Sequence, residues 1–252
     1  MKNTLIRCGL FALALTMGLS AASAPAQELN SFYVTPKILY SKQTGDMSNA
    51  NWTQNGWSRG VLGGEEKDGG FGFGLAFGND FSYSTAYPIR VEAEYIYHGE
   101  GQFGKGPSIV NALDNAGNYV ASQKFKIKAH SLMVNGFYDI NMDSAFTPYI
   151  GGGIGMAYLK SAYTSSFRVN GNEGHRVSTS SNDWSFAWNI GGGVSYALDN
   201  QMSLDFGYRY YDLGTAEPGS VNYANGTTGY RGSPEVDLTA HELSVGLRFS
   251  GF

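Results

Sequence analysis

Hydrophobic and polar residues alternate along nearly the whole chain after Leu29. Between positions 202 and 211, large apolar and aromatic residues occupy every second position, and Ser, Asp, Gly and Arg separate them. A period of two predicts β-strands, and most of the predicted segments exceed the usual strand length of about five to six residues. They are long enough to cross a bilayer when tilted. The eight segments are Phe32–Lys42, Gly70–Asn79, Pro88–Gly99, Lys124–Ile140, Phe146–Lys160, Asp183–Leu198, Met202–Leu213 and Val236–Phe252.

The connections between these segments alternate between short and long. The short ones, Asn79–Tyr87, Asn141–Ala145 and Asp199–Gln201, contain turn-forming residues. Four hairpins with short periplasmic turns and long external loops are typical of an up-and-down outer-membrane barrel. The long polar connections, predicted to be external loops, are Gln43–Gly69, Glu100–Gln123, Ser161–Asn182 and Gly214–Glu235.

The two faces of each predicted strand differ in size as well as polarity. Phe71, Phe73 and Phe77 alternate with Gly and Ala, and the other strands pair a bulky face with a small or polar one. Eight strands enclose too little space for the bulky set, so that set must face outward. Lipid on the outside also requires a closed barrel, because open strand edges cannot be satisfied there. The predicted fold is therefore all-β: an eight-stranded antiparallel up-and-down transmembrane β-barrel.

One segment, Lys124–Ile140, does not keep a single apolar face. Leu132, Val134 and Tyr138 fit one parity, whereas Phe125 and Ile127 fit the other. Either a bulge near His130 switches the parity, or the strand leaves the membrane at that point.

The N-terminus has the three parts of a secretory signal peptide. Lys2 and Arg7 provide positive charge, and Leu5–Leu19 is an apolar stretch too short to span a bilayer as a helix. Ala24-Pro25-Ala26 fits the small-x-small rule for cleavage before Gln27, whereas cleavage after Ala22-Ser23-Ala24 would leave Pro25 directly after the scissile bond. We expect residues 1–26 to be a cleaved Sec signal peptide and residues 27–252 to be one barrel domain.

Composition and charge narrow the function classes. Removing Lys2 and Arg7 leaves 15 basic against 21 acidic residues, a net charge of about −6 that disfavours nucleic acid as a partner. Cys8, the only cysteine, lies within the signal, so we expect no disulfide and no cysteine-based metal or redox site. No run of 18 apolar residues follows the signal, which disfavours a helical membrane protein.

Charged residues on the predicted inner face carry four positive and four negative charges. Unpaired buried charge is costly, so the balance indicates a structural salt-bridge plug, with a gated ion path as the alternative. Catalysis by Glu92 and Glu94 is a weaker alternative, because no substrate could reach them in a filled barrel. The predicted lumen network consists of Lys37, Arg90, Glu92, Glu94, Asp205, Arg209, Glu242 and Arg248.

Other candidate motifs have simpler interpretations. Gly99–Gly104 matches G-x-G-x-x-G but lacks a following helix, so we interpret it as a loop. His98 and His130 are predicted at similar heights, where rim histidines are favoured over a metal pair or pH switch. His130-Ser131 and His241-Glu242 offer hydrolase residue types without a third partner. No catalytic, cofactor or metal site is predicted.

Two aromatics stand in the first predicted external loop. Trp52 and Trp57 are surrounded there by Asn and Gln. Exposed aromatics in a polar loop are plausible contact residues, although they could equally pack the loop onto the barrel rim.

Four motifs rich in glycine and aromatic residues lie in the predicted strands: Pro148-Tyr149-Ile150-Gly151-Gly152-Gly153-Ile154-Gly155, Gly191-Gly192-Gly193-Val194-Ser195-Tyr196, Leu204-Asp205-Phe206-Gly207-Tyr208-Arg209-Tyr210 and His241-Glu242-Leu243-Ser244-Val245-Gly246-Leu247-Arg248-Phe249. They resemble the strands of the opacity-type and OmpA-like family of eight-stranded surface barrels. The resemblance implies insertion by the barrel assembly machinery and variable external loops that contact the host. An in-phase Phe249 and a displaced Phe252 are candidates for the assembly signal. OmpA has a periplasmic domain after its barrel, and we expect no counterpart of that domain in this chain.

We therefore expect a non-catalytic, structural or adhesin-like surface antigen of the bacterial outer membrane. Its rigid wall would display four loops to host surface or matrix proteins, with outer-membrane lipid around it. A narrow channel for small solutes is the second hypothesis, and an outer-membrane enzyme is the third.

Overall fold

The computed structural model describes residues 31–48, 50–54, 57–61, 64–83, 85, 87–104, 108–111, 118–169, 172–217 and 235–251. These residues are almost entirely β-strand, with one 3-10 turn at Phe81–Tyr83. No helix within these ranges has the length and apolar content to cross a membrane. The predicted signal peptide and Phe252 lie outside the described residues.

Eleven strands are present in the described ranges, and eight of them form the barrel wall. Each of the eight predicted segments coincides with one wall strand to within two residues at the turn end, and most of those strands extend beyond the prediction at the loop end. The wall strands are β1 (Phe32–Met47), β4 (Gly64–Asp80), β5 (Ile89–Phe103), β7 (Asn118–Asp139), β8 (Phe146–Val169), β9 (Asn172–Ala197), β10 (Met202–Ala216) and β11 (Val236–Ser250), and the accessory strands are β2 (Ala50–Gln54), β3 (Trp57–Val61) and β6 (Ser108–Asn111).

The wall is closed by antiparallel pairing all the way around. Neighbouring strands follow the order β1-β4-β5-β7-β8-β9-β10-β11, and β11 returns to pair with β1 from Tyr33↔Ser250 to Met47↔Val236. β6 pairs with the loop end of β7, and β2 and β3 form a separate hairpin. Closure removes the free edges that lipid cannot satisfy, so the predicted eight-stranded antiparallel barrel is confirmed.

The lower part of the wall, next to the short turns, has its bulky side chains outside. Phe71 is 80% exposed and Leu243 is 62% exposed, whereas Ala76 is completely buried and points inward. Eight strands leave room only for small or paired polar side chains in the lumen, so the large residues lie on the surface that lipid covers. The predicted inversion of the barrel therefore describes this part of the wall.

The upper part of the wall, next to the long connections, has the opposite arrangement. Phe125 and Ile127 are fully buried in the lumen, and Lys124, Lys126 and Lys128 alternate with them on the outside. Leu238 on β11 is buried in the same way. Water surrounds this part of the wall instead of lipid, so the apolar side chains turn inward as in a soluble barrel.

The change from lipid to water around the wall explains the irregular apolar face of the fourth predicted segment, Lys124–Ile140. Strand β7 keeps one parity throughout and leaves the membrane near His130, as the second of the two hypotheses states. The bulge lies instead on the neighbouring strand β5, between Tyr97 and Glu100. Gly99 adopts φ +89° at this point, a left-handed conformation that glycine tolerates. The extra residue switches the parity of β5, so that even-numbered residues point into the lumen up to His98 and odd-numbered residues do so from Gly99 onward.

The predicted external loops are too long at all four connections, because each includes residues that belong to wall strands. The segment Ser161–Asn182 is nearly all strand, because β8 continues to Val169 and β9 begins at Asn172. Within Gln43–Gly69, both ends belong to the wall, where Met47 pairs with Gly64. Polar side chains on the outer face of a strand above the membrane resemble those of a loop, which is why the pattern was misassigned.

Candidate functional site

Glu94 lies at the centre of the polar lumen. Arg209 donates from Nη1 to Glu94 Oε2 at 2.5 Å, and Lys37 Nζ contacts Glu94 Oε1. Asn135 is the third donor to Glu94 and donates from Nδ2 to Oε2 at 2.6 Å. Glu94 is 1% exposed, so its charge depends on these protein partners rather than on water.

Glu92 contacts the same two cations, Lys37 and Arg209, closer to the short-turn end of the lumen. It lies two residues from Glu94 on β5, so both carboxylates point to the same side of the sheet. Arg209 Nη2 lies 3.4 Å and Lys37 Nζ 3.6 Å from Glu92 Oε1, and Tyr33 donates to Oε2 at 3.3 Å. Two cations and two carboxylates are thereby joined across three strands.

The end of the lumen near the short turns contains two further ion pairs. Arg90 donates to both carboxylate oxygens of Asp139 at 2.7 and 2.8 Å, and its guanidinium lies 5.0 Å from the ring centre of Tyr149. Arg248 lies 3.6 Å from Asp205. Asp139 was missed from the sequence, because its inward position follows from the parity of β7, which the pattern left open.

Glu242, the eighth residue of the predicted network, pairs with a histidine instead of Arg or Lys. Its Oε1 lies 2.5 Å from His98 Nδ1, and His98 Nε2 lies 2.8 Å from Ser131 Oγ. The three residues come from β11, β5 and β7. The histidine lies between the serine hydroxyl and the carboxylate, the same connectivity as in a Ser-His-acid catalytic triad.

The surroundings of this Ser-His-Glu relay do not resemble an active site. His98 is completely buried and Ser131 is 2% exposed, so the hydroxyl has no access for a substrate. The Tyr211 ring lies against His98 with ring centres 5.0 Å apart. Within this enclosure the relay satisfies three buried polar groups and joins three strands.

The two histidines that the sequence suggested as a pair lie on opposite faces of the wall. His130 points outward and shares a hydrogen bond of 2.8 Å with Tyr95 Oη, while His98 points inward. The two side chains therefore cannot share a metal ion. Within the described ranges, no group of three His, Cys, Asp or Glu side chains is arranged to hold a metal.

A buried apolar cluster closes the lumen above the polar network. It includes Phe103, Phe125, Tyr163, Leu213 and Leu238, each at most 1% exposed. Each lies closer to the loop end of its strand than the charged residues do. The lumen is thus packed in two layers, polar in the membrane and apolar above it.

The remaining predicted residues are two tryptophans of the first connection and two phenylalanines near the C-terminus. Trp52 is paired with Arg59, and Trp57 with Gln54, in the β2–β3 hairpin, and their side chains lie outside the described residues. Phe249 is part of the last strand and pairs with Val34, whereas Phe252 lies outside the described residues. Their roles in contact and in assembly stay predictions.

Comparison with known proteins identifies the fold family. The family model for the outer membrane protein beta-barrel domain matches residues 11–249. The chain belongs to this family. It is a protein of the bacterial outer membrane, with the small eight-stranded wall of the OmpA-like and opacity-type barrels.

Several relatives of this outer membrane barrel are similar over different lengths. Outer membrane protein PagN of Salmonella typhimurium is 30% identical over 245 residues, covering 95% of this chain and 98% of PagN. A putative adhesin of Rickettsia bellii is 28% identical over 142 residues, which cover 55% of this chain and 60% of the adhesin. The solved structure of Neisserial surface protein A covers 87% of this chain and 96% of its own, with 20% identity and a TM-score of 0.41.

Proposed function

We propose that the protein is a non-catalytic surface barrel that makes adhesive contacts through the upper rim and its connections. The observation that carries this proposal is the packed lumen, in which an apolar cluster covers a neutralised ionic network. A filled interior leaves the outward end of the wall as the surface available to a partner from outside the cell. Host surface or matrix proteins are the proposed partners, and the name of the Rickettsia bellii relative, a putative adhesin, supports the same class.

The rim carries the chemistry that such contacts require. The first connection contains Trp52 and Trp57 among Asn, Gln and Ser, a composition that combines aromatic anchors with adaptable hydrogen bonding. Its ends are fixed by the wall, since Met47 and Gly64 are directly paired and Gln43 donates to the His98 carbonyl at 2.8 Å. Only the segment between these ends is free to vary without disturbing the ladder.

Replacing residues 49–63 with a Gly-Ser chain of equal length tests this proposal. We expect normal insertion, because the β1–β4 ladder is intact and the loop length, on which the entropy of loop closure depends, is unchanged. We expect binding to host cells or matrix proteins to fall about tenfold or more, the effect of losing one or two aromatic anchors. Binding is measured with intact bacteria, and insertion by the heat-dependent mobility of the barrel in electrophoresis.

Two further variants complete this experiment. A Gly-Ser replacement of residues 141–145, at the opposite end of the wall, is the control and should leave binding unchanged. The double variant W52A/W57A should lose most of the binding that the full replacement loses. Unchanged binding by an inserted variant that lacks residues 49–63 would place the activity elsewhere on the barrel.

The channel hypothesis makes a separate prediction. Because the rings of Phe125 and Tyr163 pack 4.6 Å apart inside the upper lumen, we expect no stable opening wide enough for sugars. Planar-bilayer conductance and sugar uptake by proteoliposomes measure this, with the variant F125A/Y163A as the more open comparison. Sugar uptake by the wild-type protein would favour the channel over the sealed barrel.

A further inference from the structure

A row of aromatic and imidazole rings crosses four strands on one side of the barrel. His130 on β7 lies 5.0 Å from the Tyr97 ring and 6.5 Å from the Tyr158 ring, and Tyr158 lies 4.8 Å from Trp184. Rings of this kind mark the membrane–water interface of outer-membrane barrels. Below the row, the exposed surface is apolar and consists of Leu132, Ile154 and Phe186.

Immediately above the row, the same side of the wall carries lysines. Lys128 and Lys160 are directly paired across β7 and β8, and both are exposed. Lys126 and Lys124 follow on β7, on the same outer face. Like charges directly opposite each other destabilise a sheet, so an anion beside Lys128 and Lys160 would stabilise this pairing.

The protein itself supplies only part of that compensation within the described residues. Glu100 lies 3.4 Å from Lys126 and 3.3 Å from Lys128. Burial raises the pKa of Glu100, but hydrogen bonds from Lys128 and Lys126 outweigh it and lower the pKa. Lys160 Nζ lies 5.4 Å above the Tyr158 ring, and none of the salt bridges in the described ranges includes it. Asp68 adds a second carboxylate at the β4 edge of this side, where its Oδ2 accepts a hydrogen bond from Gln102 N at 2.7 Å. Among the described side chains, four lysines against these two carboxylates leave this side positively charged.

The opposite side of the barrel lacks this excess of positive charge. At the same height, Lys42 and Lys67 are accompanied by Asp46, Glu65 and Asp237, and Lys67 pairs with Glu65 at 2.7 Å. The positive charge is therefore localised to one side and is not a general property of the rim.

We propose that the β5–β7–β8–β9 side of the barrel binds an anionic, phosphate-bearing lipid of the outer leaflet. The acyl chains would lie along Leu132, Ile154 and Phe186, and the phosphate would lie between Lys128 and Lys160. Short periplasmic turns and a long loop end place these lysines at the outer face of the membrane. Lysines next to an interfacial aromatic row are the residues that attract anionic headgroups in bilayers. This site is separate from the proposed adhesive rim.

Native mass spectrometry of the micelle-released protein tests the site directly. The probe is an equimolar mixture of phosphatidic acid and phosphatidylcholine with identical acyl chains. We expect the wild-type barrel to retain phosphatidic acid preferentially. The variant K128Q/K160Q should reduce this preference about 25-fold, since each lysine near an anionic headgroup contributes roughly a fivefold effect. The matched variant K42Q/K67Q, which removes two lysines at the same height, should leave the preference within about twofold of wild type, because Asp46, Glu65 and Asp237 line the same surface and offset its positive charge.

The alternatives give different results in the same experiment. Equal losses in the two double variants would overturn a localised site and indicate general charge attraction. Displacement of phosphatidic acid by excess inorganic phosphate would assign the lysines to free phosphate. If K128Q/K160Q retained phosphatidic acid but lost binding to a sulphated polysaccharide column, the lysines would serve a soluble polyanion. Electrophoretic mobility before and after heating verifies that each variant is folded.

Discussion

Replacing Glu94 with alanine is expected to destabilise the barrel by about 3–5 kcal/mol, since removing one partner of a buried ion pair leaves the other charge uncompensated. Arg209 and Lys37 would both lose their closest carboxylate oxygens in a lumen that water does not enter freely. Urea unfolding of the protein in lipid vesicles, followed by tryptophan fluorescence, gives the free energy of unfolding.

Two variants separate the charge effect from the loss of volume. Glu94→Gln keeps nearly the same volume and should retain most of the destabilisation if charge is the cause. Glu100→Ala removes a carboxylate on the same strand whose lysine partners are about half exposed, and should cost less than about 1 kcal/mol. A wild-type free energy of unfolding in Glu94→Gln would show that Lys37 and Arg209 do not need this charge.

Replacing Val245 with arginine is expected to cost about 2–4 kcal/mol, the effect of a cation on the lipid face near the middle of the bilayer. Val245 is 38% exposed on the outer face of β11, between Phe206 and Ile38 of the neighbouring strands. The same vesicle unfolding experiment measures the change.

Thr239→Arg is the matched control for this substitution. Thr239 lies on the same strand and the same face, six residues closer to the loop end, above the ring contact of Tyr210 with His241. The wall there is surrounded by water, and the substitution should change the stability by less than about 0.5 kcal/mol. Equal effects at the two positions would contradict the placement of the membrane boundary between them.

The membrane part of the wall was predictable because lipid imposes one simple requirement. A residue such as Phe71 or Leu243 in contact with acyl chains must be apolar, and the small lumen forces Gly or Ala onto the other face of each strand. Period-two alternation with a strong size difference is therefore enough to identify the strands, their number and their closure.

The upper part of the wall could not be predicted in the same way. Phe125 and Ile127 obey the same alternation as Leu132 and Val134, but with the opposite polarity, because water replaces lipid on the outside. In the sequence, the parity change near His130 is the one indication of the height at which that exchange occurs, and a bulge would give the same pattern. The predicted strands therefore end too early at the loop end, and the polar outer faces above the membrane have the pattern of loops.

The Ser-His-Glu relay was hidden for a different reason. Ser131, His98 and Glu242 lie on three strands that are far apart in sequence, and their meeting depends on strand register. The bulge at Gly99, next to His98, belongs to a segment interpreted as a glycine-rich loop. Inward-pointing charges can be listed from parity alone, but their partners depend on a register that one sequence does not provide.

The lengths of β8 and β9 determine the distance from the membrane at which the protein can contact a partner. These strands contain 24 and 26 residues, whereas a tilted strand crosses a bilayer with about ten. At about 3.3 Å per residue and a tilt of about 40°, the hairpin rises about 60 Å, roughly twice the thickness of the hydrocarbon core. A contact at its tip is made a few tens of ångströms from the lipid. A partner can therefore be reached while the two cell surfaces are still apart, and a rigid β-ladder rather than a flexible chain holds that distance.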